Sequence, residues 1–61
     1  MVSSSEVKAK ILKYLEQSAH TETEIALYVR RPRHEVKGLL TEMEDEGRVC
    51  FLAMRGLWEK C

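Results

Sequence analysis

The 61-residue sequence is short of several things: one proline, three glycines, two cysteines, one tryptophan and no net charge. Each shortage excludes something. No apolar run approaches the roughly 20 residues needed to span a bilayer, and no signal-peptide core follows Met1, so no membrane partner is expected. Cys50 and Cys61 are too few and too far apart for a disulfide framework, and they lack the C-x-x-C spacing of a zinc site. Cys50 is therefore read as a small apolar or half-exposed strand residue, and Cys61 as a free terminal thiol. Ten basic residues balance ten acidic ones, so the sum offers no support for a polyanionic partner. There is no glycine-rich phosphate loop, no serine or cysteine with an evident base, and no carboxylate pair with a plausible pocket. No enzyme, cofactor or metal is expected. With 44% hydrophobic and 33% charged residues, the chain is globular rather than disordered. A soluble protein of the cytoplasm (nucleoid-associated) or the nucleus is the expectation, with residues 1–61 as a single domain.

What is present is organised around Arg30 to Gly47. Val36, Leu39, Leu40 and Met43 recur at i, i+3, i+4 and i+7, which places four apolar side chains on one helical face. Pro32 suits the first turn, where a missing N–H has no intrahelical partner. Gly47 suits the left-handed position that closes a helix. The opposite face carries His34, Gly38, Thr41 and Asp45, with Arg33 and Lys37 on one flank and Glu35 and Glu42 on the other. Charge is divided along this element. Arg30, Arg31, Arg33, His34 and Lys37 mark its start, and Glu42, Glu44, Asp45 and Glu46 its end, so a polyanion could approach only one end.

Upstream, Ser3 and Glu6 form a capping box, and helix one should start near residues 3–5 with Met1 and Val2 loose. Its inner face is Val7, Ile11, Leu12 and Leu15, flanked by Tyr14, while Lys8, Lys10 and Lys13 face water or a partner. Ala19-His20 makes a tight, briefly extended connection. Thr21 and Glu24 form a second capping box, opening a helix through Ile25, Ala26, Tyr28 and Val29. That helix stops near Arg31, because Pro32 disfavours an α conformation in the residue before it. A short helix, a break and a longer amphipathic helix make the helix-turn-helix order. After Gly47 the period shortens. Arg48 to Leu52 reads as a strand, Ala53 to Gly56 as a turn, and Leu57 to Lys60 as the returning strand. Val49, Phe51 and Trp58 are expected inward, closing the core.

Helix two, the turn at Arg31-Pro32, Val36-x-x-Leu39-Leu40-x-x-Met43, Glu46-Gly47-Arg48-Val49 and the ending Leu57-Trp58 together resemble the winged-helix superfamily over nearly the whole chain. The resemblance implies an α+β fold, a three-helix bundle followed by a two-stranded wing. It also implies that helix three, about residues 33–46, lies in a DNA major groove while the hairpin meets an adjacent groove or the backbone. A weaker similarity links the spacing around Val36 and Trp58 to the Z-nucleic-acid-binding domains. Those place an asparagine and a tyrosine where this chain has Lys37 and Thr41, and their proline-rich wing tip is missing here. Thr41 supplies no aromatic face, so ordinary duplex reading ranks first.

On that basis double-stranded DNA is the expected partner and a small transcriptional regulator the expected role, with a homodimer plausible. Arg30, Arg31 and Arg33 are candidates for phosphate clamping or guanine readout, since the planar guanidinium fork suits both. The alternative for them is a solubilising turn paired to Glu22, Glu24 or Glu35. His34, Lys37 and Thr41 are candidates to face base edges or backbone. Arg55 at the hairpin tip is a candidate for a minor groove or phosphate, or a surface turn residue. Gly38 permits close approach either of DNA or of helix two. The second functional reading is a winged helix that docks another protein through Glu42, Glu44, Asp45 and Glu46, without nucleic acid.

Overall fold

The computed structural model describes residues 4–61; the capping role given to Ser3 and the looseness of Met1 and Val2 lie outside them. Three helices, α1 (Ser4–Gln17), α2 (Glu22–Val29) and α3 (Arg33–Asp45), are followed by β1 (Val49–Leu52) and β2 (Leu57–Lys60). This is the α+β order of a winged helix. The buried stripes are those the spacing predicts: Val7, Ile11 and Leu15 on α1, Ile25 and Ala26 on α2, and Val36, Leu39, Leu40 and Met43 on α3. They meet Val49 and Trp58 in one cluster, with Leu12, Tyr14 and Val29 packed on its margin. Every buried residue among those described is apolar, so burial away from water is the force that gathers the helices.

Local chemistry sets the element boundaries. At the start of α2 the Thr21 hydroxyl accepts from the Glu24 N–H at 3.2 Å, and the Glu24 carboxylate accepts from the Thr21 N–H at 2.9 Å. The capping box is complete. Pro32 stands one position ahead of α3, at its N-cap, and its carbonyl accepts from the N–H groups of Glu35 and Val36. At the other end Gly47 takes φ 76°. The Gly47 N–H then donates to the Glu44 carbonyl and the Arg48 N–H to that of Met43, the Schellman closure that releases the chain into β1.

The strands pair antiparallel, with Phe51 opposite Trp58 and Cys50 opposite Glu59. His20 adds a one-residue third rung. Its N–H donates to the Trp58 carbonyl at 3.0 Å and its carbonyl accepts from the Trp58 N–H at 2.8 Å. The hairpin is thereby stitched to the α1–α2 connection as well as to α3. Around that stitch the rings of His20, Tyr14 and Tyr28 stack in a column, at centroid spacings of 3.8 and 4.0 Å.

Three expectations change. Cys50 and Cys61 are joined by a disulfide, Cα to Cα 5.4 Å. Because the register sets Cys50 opposite Glu59, Cys61 lies diagonally across the ladder on the same face, within reach of a bridge. Phe51 shares the inward face with Val49 but remains 44% exposed. It stands two residues further from the end of α3, so its ring covers Trp58 from the solvent side, centroids 4.9 Å apart. Lys8 does not face water: it is half-buried and ties α1 to α3 through Glu42 at 2.9 Å and Glu46 at 3.7 Å.

Candidate nucleic-acid interface

The α2–α3 turn carries the arginine corner. Arg30 takes φ 57° and ψ 45°, the left-handed conformation that ends α2, and the following Arg31 N–H donates to the Ala26 carbonyl at 3.2 Å. It is the one non-glycine with positive φ among the described residues. A side chain with a Cβ costs about 1–2 kcal/mol in that conformation, so an arginine stands where glycine is the cheaper residue. Its side chain is exposed and takes part in no ion pair or side-chain hydrogen bond among the described residues. Arg31 is half-buried and engaged within the molecule. Arg33 opens α3, exposed, with its Nε 3.7 Å from the Glu22 carboxylate. Of the three acidic partners weighed from the sequence, Glu22 is the one that approaches Arg33, and at that distance across solvent it contributes at most a few tenths to about 1 kcal/mol.

Beyond Arg33 the outward face of α3 presents His34, Lys37, Gly38 and Thr41, all exposed. The Thr41 hydroxyl donates to the Lys37 carbonyl at 2.9 Å. With its proton committed, this hydroxyl keeps only acceptor capacity toward a ligand. A Cβ built on Gly38 meets nothing within 4 Å, so the glycine does not serve close packing with α2. It leaves a gap on the solvent face between His34 and Thr41.

Two of the four carboxylates at the acidic end of α3 are paired within the molecule, and all four residues remain exposed. Glu42 and Glu46 are bound by Lys8, and Glu46 is also 3.4 Å from the Arg48 Nε. The hydrogen bond to Glu42 holds the Lys8 ammonium above its ordinary pKa of 10.5. Glu44 and Asp45 remain exposed. At about 1.5 Å per residue, Asp45 lies roughly 16 Å along the axis from His34, beyond the ~8 Å screening length of physiological salt.

Arg55 occupies the tip of the hairpin, in the turn between the strands, with its N–H on the Leu52 carbonyl at 3.0 Å and Gly56 at φ 68°. The sequence-predicted residues thus fall into two groups. The α2–α3 turn and the first turns of α3 bring together Arg30, Arg33, His34 and Lys37, while Arg55 belongs to a separate element. The pairing of Lys8, the left-handed Arg30 and the disulfide were all missed. The disulfide alone had a signal in the sequence, since counting back from the hairpin turn sets positions 50 and 61 diagonal. Among the described residues no group of three or more His, Cys, Asp or Glu side chains is placed to hold a metal, and no helix is long and apolar enough to cross a membrane.

No family model, curated protein or solved structure matches the chain.

Proposed function

We propose that the chain is a winged-helix binding module, not an enzyme, and that its ligand is double-stranded DNA, met by the N-terminal half of α3 and the wing. A role as a small transcriptional regulator follows from that reading. The observation that carries it is Arg30. A strained backbone position is occupied by a solvent-exposed guanidinium that has no ion pair or side-chain hydrogen bond among the described residues, and strain of this kind collects at functional sites. Arg33, His34 and Lys37 extend the same exposed corner. Arg30, Arg33 and Arg55 position the phosphates, while His34, Lys37 and Thr41 face the groove, Thr41 as an acceptor. Arg31 supports the corner from within. The internal pairing of Glu42 and Glu46 weakens the reading in which an acidic face docks a protein, because two of its four carboxylates already have cations.

The test is fluorescence anisotropy on a random duplex across a salt series. Three phosphate contacts, from Arg30, Arg33 and Arg55, give a slope of log affinity against log salt of about −2.7. The double variant Arg30→Ala, Arg33→Ala should flatten the slope by about two contacts. Absence of binding at low salt refutes the proposal. An alternating dC-dG duplex run alongside separates right-handed duplex reading from the left-handed form implied by the weaker resemblance.

A further inference from the structure

Beside the arginine corner the surface dips into a cup of about 370 Å³, lined by Thr23, Ala26, Leu27, Arg30, Arg31 and Arg33. Its lining is mostly apolar, and three of the residues that contribute to it are arginines. Thr23 and Leu27 stand at i and i+4 on one side of α2, and Arg30 follows at its left-handed end. Leu27 is 75% exposed, whereas the aliphatic side chains that α1 and α3 turn inward are buried. The core therefore does not account for a leucine at this position. A phosphodiester backbone accounts for the arginines around the cup but has nothing to bury on Leu27. Charge and apolar surface together describe a different ligand.

We infer that this cup is a docking site for a short acidic segment of another protein bearing one apolar side chain. The apolar side chain sits against Leu27, and flanking carboxylates meet Arg30 and Arg33. A buried apolar anchor ringed by charged groups is the common arrangement of an interface hot spot, and arginine's planar fork accepts a carboxylate bidentately. Such docking requires no binding of DNA. If the duplex also uses Arg30 and Arg33, the acidic segment and the duplex exclude each other.

The probe is a fluorescein-labelled peptide, Glu-Asp-Leu-Asp-Glu, titrated with the full chain, beside the same peptide with serine in place of leucine. The leucine peptide is expected to bind roughly tenfold or more tightly than the serine peptide, given the apolar area at stake. Leu27→Ser should remove that advantage and leave duplex binding unchanged, and Leu27→Gln should repeat the result. Amide NMR should place the largest shifts at Thr23, Ala26 and Leu27. Because Leu27 is largely exposed, both variants are expected to melt with the parent. Equal binding of the two peptides, or of neither, overturns the assignment. So does loss of duplex binding in Leu27→Ser, which would make the cup part of a nucleic-acid surface. Self-association that Leu27→Ser abolishes also overturns it, because a second copy would then be the occupant.

Discussion

Replacing Arg30 with glycine should raise stability and lower DNA affinity together. The left-handed φ of 57° at this residue costs a Cβ-bearing side chain about 1–2 kcal/mol. Glycine removes that cost but returns about 0.5–1 kcal/mol to the unfolded chain as backbone freedom. The net gain spans about 0–1.5 kcal/mol, and its midpoint of about 0.75 kcal/mol is a rise in Tm of roughly 3–6 °C for a domain of this size. Arg30→Ala supplies the control, because it discards the guanidinium and keeps the strained Cβ. Thermal melts followed by circular dichroism should rank glycine above both arginine and alanine. Duplex titrations should show the same loss for glycine and alanine, with the salt slope reduced by about 0.9, equivalent to one phosphate. If Arg30→Gly melts at or below the parent, the left-handed assignment fails. If it melts higher while the salt slope is unchanged, the strain has no connection with DNA and the main support of the proposed function is gone.

Three further perturbations test other parts of the structure. Gly38→Ala should stabilise α3 by up to about 1 kcal/mol, since the added methyl meets open space; a denaturant midpoint shift of the opposite sign would place a neighbour there. Reducing the Cys50–Cys61 bridge, or substituting Cys61→Ser, closes off a constraint spanning 11 positions in sequence, and should cost about 3 kcal/mol on the loop-entropy account. Melts with and without a thiol reductant measure it, and identical curves would show the bridge to be absent. Glu24 is held below the ordinary glutamate pKa of 4.5, chiefly by the hydrogen bond from the Thr21 N–H. A lowered folded pKa contributes stability above 4.5 that is lost as pH falls through the folded value. The Tm difference between the parent and Glu24→Gln should therefore be largest near neutrality and shrink below pH 4.5; a constant difference would exclude the carboxylate's charge as its source.

The dipolar helix is the place where sequence and structure say different things about function. In the sequence, Glu42, Glu44, Asp45 and Glu46 look like a continuous surface that repels phosphate. In the fold, Lys8 crosses from α1 to bind Glu42 and Glu46, so two of the four carboxylates carry a partner. Lys8 and Glu42 are 34 positions apart, and no helical period relates them; only the packing of α1 on α3 brings them together. Gly38 shows the same limit in reverse. Its residue type indicates a close approach, but only the assembled surface shows that no part of the described fold packs against it.

The residues themselves determine the element order, because every boundary is written in local chemistry: a capping box at Thr21 and Glu24, a proline before α3, a glycine after it. They also determine the inward faces, since helical spacing of apolar side chains permits one burial and no other. Tertiary structure alone decides which remote charges meet and how far the hairpin projects. Those outcomes depend on the distance between surfaces contributed by remote parts of the chain, and local spacing carries no information about it. The exposure of Phe51, the burial of Trp58 under the His20 rung and the apolar cup beside Arg30 are consequences of that assembly.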